Sequence, residues 1–276
     1  MKLIYVFFIT IVLCIGLLLS TTNFVYALGE ANVKGGPLKE NELFITFPGQ
    51  VVENHSGYTT WIRKWYGPDG NYTNNGNEPN HRNELIELGT NGQLTEVELS
   101  TIDGLLKTKD QVTEIKWDDA HGGTRAWTVF ELDPTNGNNM NRGGPADSID
   151  TYGLIVIDSP RAMMSVMSPA HDNYGQIWIN GEKWYNHPTW TGAVQQVHYN
   201  VEASLQKGAN VLLYRVTEGG GSAYMNLHFD DATHEAVDIY PDQATDKASF
   251  FSEIAGVLPV EPRGKITTTW ADIKRK

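Results

Sequence analysis

Two stretches of the chain alternate apolar and polar residues with a period of two, and nothing else constrains the fold as much. Val197, Tyr199, Val201, Ala203 and Leu205 fall on one side, with Gln196, His198, Asn200 and Glu202 on the other; Ala223, Met225, Leu227 and Phe229 repeat the pattern. Successive side chains of an extended strand point to opposite faces, so this period marks half-buried strands. Further strand-like runs are Leu43–Phe47, Tyr58–Tyr66, Thr113–Trp117, Ala126–Leu132, Tyr152–Asp158, Ala162–Ser168, Gly175–Asn180 and Asn210–Val216. Pro68-Asp69-Gly70, Asn136-Gly137, Asn180-Gly181 and Lys207-Gly208 separate them as turns. Many short strands with almost no helical period predict an all-β fold, an antiparallel two-sheet jelly-roll sandwich over residues 28–241. Pro68–Arg82, rich in Asn and Gly, reads as a long surface loop.

One hairpin can be worked out residue by residue. With Asn180-Gly181 as a two-residue type I′ turn, Ile179 faces Glu182, Trp178 faces Lys183 and Ile177 faces Trp184. Directly paired residues share a face, so Ile177, Ile179 and Trp184 form the core side, while Trp178, Lys183 and Tyr185 lie opposite. Trp184 is thereby assigned to packing, and Trp178 is the tryptophan able to meet a ligand or a covering loop.

The two ends differ from this body. Lys2 followed by the apolar run Leu3–Leu19 and by Val25-Tyr26-Ala27 reads as a signal peptide over residues 1–27, cleaved after Ala27, which places the protein outside the cell or in its envelope. The alternative is a membrane anchor retained through residues 3–19. Cys14, the single cysteine, lies inside that run, so the remaining chain must be held by its own core rather than by disulfides. Loss of Lys2 with the leader takes the net charge from -12 to -13. Such a charge opposes binding to a phosphate backbone and excludes a nucleic-acid partner. At the other end, residues 242–276 form a short helical extension: Ala248, Phe251 and Ile254 predict a helix over Asp246–Gly256, and a linker leads to a basic tail containing Arg263, Lys265, Lys274, Arg275 and Lys276.

No catalytic motif is present: there is no zinc-binding His-Glu-x-x-His, no Gly-x-Ser-x-Gly elbow and no phosphate loop, and Gly219-Gly220-Gly221 lacks a following lysine. The chain therefore reads as non-enzymatic. Three acidic groups could offer oxygens to calcium, namely Asp118-Asp119 with His121, Asp172-Asn173 and Asp230-Asp231; Asp172 and Asn173 rank first because they precede the hairpin. Each can equally be a loop cap. The aromatic signal is stronger. Trp178, Tyr185 and Trp190 fall close together with Asn180 and His187, and flat rings beside amide and imidazole groups suit the apolar faces and hydroxyl edges of a sugar. The same rings could be core or loop anchors. A second cluster, Trp61, Arg63 and Trp65, is expected to pack in the core.

The runs GGPADSIDTYGLIVIDSPRAMM, AHDNYGQIWINGEKWYN and LQKGANVLLYRVTEGGGSAYMNLHF resemble the galactose-binding-like jelly rolls attached to bacterial glycoside hydrolases, and the related lectin domain of bacterial toxins and yeast flocculins. They are also similar to exported proteins of environmental bacteria whose tails resemble GKITTTWADIK. The resemblance covers roughly Trp117 to Asp231. It implies a sandwich fold and, in calcium-dependent members, two adjacent aspartates that hold the ion contacting the sugar. The matching positions are Asp172 and Asn173, where asparagine removes one negative charge. The resulting expectation is an exported, non-catalytic module binding an oligo- or polysaccharide. The alternatives are an envelope structural or interaction protein without a sugar ligand, or a polysaccharide hydrolase or lyase.

Overall fold

The computed structural model describes residues 33–40, 42–43, 52–74, 85–244 and 250–258. The strands are β1 Val33–Lys34, β2 Glu53–Asn54, β3 Lys64–Pro68, β4 Tyr72–Thr73, β5 Glu114–Lys116, β6 Thr124–Glu131, β7 Ile149–Ser159, β8 Met163–His171, β9 Tyr174–Ile179, β10 Glu182–His187, β11 Gln196–Val197, β12 Val201–Leu205, β13 Gly208–Glu218, β14 Met225–Phe229 and β15 Asp238–Tyr240. The helices are α1 Leu85–Gly89, α2 Glu96–Leu99, α3 Ile102–Asp110, α4 Asp231–Ala236 and α5 Phe250–Ile254.

The smaller sheet runs β1-β12-β8-β14. The larger runs β10-β9-β13-β7-β3-β6-β5, with β4 and β15 also paired to β7. Among the described residues every strand pairing is antiparallel except β1 with β12. The chain is therefore an all-β sandwich with a small helical extension, as the strand patterning predicts. The alternating set on β12 is buried as expected: Val201, Ala203 and Leu205 join the core between the sheets, together with Met225, Leu227 and Phe229 of β14.

The larger sheet is a middle layer, and its strands are apolar on both faces for that reason. In β7, Ile155 and Ile157 enter the inter-sheet core while Leu154 and Val156 point the other way. In β13, Leu212, Tyr214 and Val216 share the first core and Val211 and Leu213 the second. The second core is closed by α1, α2, α3 and α5 and by the link between α1 and α2, through Ile86, Leu94, Leu99, Leu105, Phe250 and Ile254. The covering helices α1 to α3 were not expected. They span 5, 4 and 9 residues, too short for a helical period to emerge from a window of about 11–18 residues. Their ends are nevertheless well specified. Thr95 and Glu98 form a reciprocal capping box on α2, and the Thr101 hydroxyl accepts from the Gly104 N–H at the start of α3.

Other expectations sort by location. The loop over Pro68–Arg82 contains β4 and the buried Asn71 and Asn74 before it passes outside the described residues. Trp61 and Trp65 are buried as predicted, whereas Arg63 is exposed and pairs with Glu131 at 2.8 Å. The strand proposed over 43–47, the signal peptide and the basic tail lie outside the described residues or almost wholly so, while α5 falls within the helix predicted over Asp246–Gly256. Among the described residues no helix is long and apolar enough to cross a membrane.

Candidate functional site

The β9–β10 hairpin carries most of the site, and its turn forms as the Asn-Gly pair dictates. Asn180 and Gly181 both adopt positive φ, 53° and 85°, as a type I′ turn requires. Ile179 pairs with Glu182 and Trp178 with Lys183. The ladder then shifts: Tyr185, not Trp184, pairs with Ile177. A bulge inserts one extra residue and reverses the alternation beyond it. Trp184 remains in the inter-sheet core as expected, but Tyr185 joins it there, so its assignment to the opposite side is corrected. The Tyr185 hydroxyl lies 2.8 Å from His171 Nε2.

Trp178 sits on the other face, within the second core, and is only 2% exposed. Over its ring lies the Lys183 ammonium, 4.9 Å from the centroid. Two further elements converge there. The segment after β1 crosses to the free edge of β10, where the Leu38 N–H donates to the Lys183 carbonyl at 2.7 Å. Gly35 and Gly36 permit that approach, because a Cβ would stand 2.1 Å from the Glu202 carbonyl at the first and 2.3 Å from the Lys183 carbonyl at the second. From the opposite side α2 meets the hairpin tip, with the Gly181 N–H donating to Ser100 Oγ at 3.1 Å.

These three walls line a half-open cavity of about 600 Å³. The crossing segment contributes Pro37, Leu38 and Glu40; the helices contribute Glu87, Thr95, Glu96 and Val97; the hairpin contributes Trp178, Gly181, Glu182 and Lys183. Lys183 donates to the Glu40 carbonyl at 2.9 Å. Burial, then the nearby Arg215, pushes its pKa down to about 8 against the pull of Glu40 and Glu96. Glu96 is 1% exposed, and burial raises its carboxyl to about 7 although Arg215 favours the charged form. Arg215 lies closer to Asp150, at 2.8 Å, than to Glu96 Oε1, at 3.6 Å. Glu96 Oε1 also accepts from the Tyr152 hydroxyl at 3.4 Å, while Oε2 has no hydrogen-bond partner among the described residues. The cavity lining thus joins an indole ring, a buried ammonium and a buried carboxylate with one oxygen unpartnered among the described residues, and shifted groups of this kind concentrate at functional sites.

Of the sugar-site residues expected from sequence, Trp178 alone lines this cavity. Asn180 pins the turn, donating to Asn210 Oδ1 at 2.8 Å and accepting from the Val211 N–H at 3.0 Å. His187 is fully buried, and burial together with His198 holds its pKa down at about 4. Trp190 is 49% exposed, beyond the end of β10 and away from the cavity lining. The structure therefore does not bring the predicted aromatic residues together in one groove.

Of the metal candidates, Asn173, Asp118 and Asp230 accept from backbone N–H groups. Asp172 and Asn173 are joined by a cis peptide. Asn173 Oδ1 accepts from the Gly219 N–H at 2.8 Å. Asp118 accepts from the His121 N–H at 3.0 Å, and Asp230 from the Thr233 N–H at 3.0 Å at the start of α4. Among the described residues no three histidine or carboxylate side chains gather as metal ligands would.

Glu40, Glu87, Glu96 and Glu182 were not singled out from sequence, since nothing in their spacing announces one site. Lys183 carried a usable signal, its pairing with Trp178 across the hairpin. No protein-family model, curated protein or solved structure matches the chain. The likeness to galactose-binding-like sandwiches rests on its sequence runs alone.

Proposed function

We propose that this is an exported, non-catalytic module that binds carbohydrate in the cavity over Trp178. The observation that carries the reading is the convergence of the Trp178 ring, the Lys183 ammonium and the Glu96 carboxylate on one space of about 600 Å³. Small-molecule sites are commonly about 300–1,000 Å³, with apolar walls and a few placed polar groups. Sugar hydroxyls accept from an ammonium and donate to a carboxylate, and an apolar sugar face packs on the wall of Leu38 and Val97. The export signal and the lack of a catalytic motif support an extracellular binding role.

The test is calorimetric titration of the protein with a panel of oligosaccharides. Micromolar to millimolar binding is expected, and Val97→Trp should abolish it. Val97 lines the cavity and is 50% exposed, so the larger ring fills the space without disturbing the core. Lys183→Gln should weaken binding while leaving the circular dichroism spectrum intact. Absence of binding across the panel, or binding undiminished by Val97→Trp, would remove the cavity from the account. Release of reducing ends from any member of the panel would replace binding by hydrolysis.

A further inference from the structure

We infer that the cavity selects sugars bearing a free ammonium group over neutral or acidic sugars, an inference that rests on the carbohydrate reading above. Its lining sets four carboxylates, Glu40, Glu87, Glu96 and Glu182, against one ammonium, Lys183. Three of the four stand at the exposed rim, where solvent screens them and they act mainly on approach. Glu96 is different. It is 1% exposed, and its Oε2 has no hydrogen-bond partner among the described residues. A buried carboxylate oxygen left without a donor is costly, and a ligand that brings a charged donor relieves that cost.

The molecule already holds one ammonium in this setting. Lys183 is 6% exposed and lies over the Trp178 ring, with the Glu40 carbonyl as the acceptor. Indole and carbonyl thus accommodate a desolvated cation beside Glu96. A hydroxyl in place of the ligand amine gives Glu96 a weaker donor, an N-acetyl group gives it a neutral and bulkier one, and a uronate adds like charge. Burial raises the Glu96 carboxyl to about 7, and an incoming ammonium favours its charged form.

Four oligosaccharides of equal length distinguish these cases in titrations of the whole protein: β-1,4-linked glucosamine, its N-acetylated counterpart, a cello-oligosaccharide and an oligogalacturonate. Glucosamine oligomers are expected to bind about tenfold to a hundredfold more tightly than the acetylated form, with the galacturonate weakest. Glu96→Gln should erase most of that advantage, lowering affinity for the glucosamine oligomer by about tenfold or more while weakening the acetylated oligomer far less. A net charge of -12 attracts polycations to the whole surface, so Val97→Trp is the necessary control and should abolish glucosamine binding. Equal affinity for amine and acetylated oligomers, an advantage intact in Glu96→Gln, or binding retained in Val97→Trp overturns the selectivity. With neutral oligomers still bound in the cavity, the carbohydrate reading survives that failure; with none bound, both fall.

Discussion

Lowering the pH from about 7.5 to about 5 should destabilise the fold through buried histidines, with Glu96 working against them. Burial, reinforced by His198, takes His187 from 6.5 to about 4. Burial likewise takes His228 to about 4, against the Phe229 carbonyl and with His55 beside it. Both rings are 1% exposed or less. Between pH 4 and 6.5 each binds fewer protons folded than unfolded, so the stability present above 6.5 is lost as the pH falls toward 4. At pH 5 the loss is about 2 kcal/mol per ring. His171, held neutral by the same burial with His187 nearby, adds to it. Glu96 has the opposite sign. Its pKa rises from 4.5 to about 7, so the folded protein takes the proton first and regains about 2 kcal/mol on the same descent. Urea denaturation of the protein and of Glu96→Gln at both pH values separates the two. The variant should lose about 2 kcal/mol more than the parent between pH 7.5 and 5, whatever its stability at either pH. Equal losses would refute the assignment of Glu96 as a buried carboxylate that titrates near neutrality.

Three further outcomes are expected. Tyr185→Phe leaves His171 Nε2 without its 2.8 Å partner in a sealed core and should cost about 1–3 kcal/mol in denaturant, whereas Trp190→Ala, at a half-exposed ring, should change stability by less than about 0.5 kcal/mol. Gly35→Ala drives a methyl to 2.1 Å from the Glu202 carbonyl and should cost about 1–3 kcal/mol in thermal unfolding, with faster amide exchange at Leu38. Asp230→Ala removes the acceptor of the Thr233 N–H and should cost about 1 kcal/mol; an unchanged melting temperature would show that α4 does not depend on its cap.

The fold was legible where a pattern is local and repeats. β12 and β14 alternate cleanly because each has one face in the inter-sheet core. β7 reads as a strand too, yet its continuous apolar run conceals which neighbours cover it, and only the packed helices explain why both faces are buried. Those helices leave no periodic signature because Asn91 and Gly92, both at positive φ, break the segment into pieces too short to show a period. The Thr95 capping box was nonetheless written in the sequence and could have located α2. Of the site, the hairpin face shared by Trp178 and Lys183 was readable. Glu40, Glu87 and Glu96 lie on segments whose meeting depends on the tertiary fold.

By itself, then, the chain determined the alternating strands β12 and β14, the Asn180-Gly181 turn and the opposite facing of Trp178 and Trp184, because side-chain direction in a strand follows from parity. Tertiary structure decided the rest. One bulge residue moved Tyr185 from the outer face into the core. A helical layer covered Trp178, desolvating Lys183 and Glu96, and converted an expected open aromatic face into a half-open charged cavity. Parity is a property of neighbours along the chain, whereas burial and pKa depend on which distant segments arrive to exclude water.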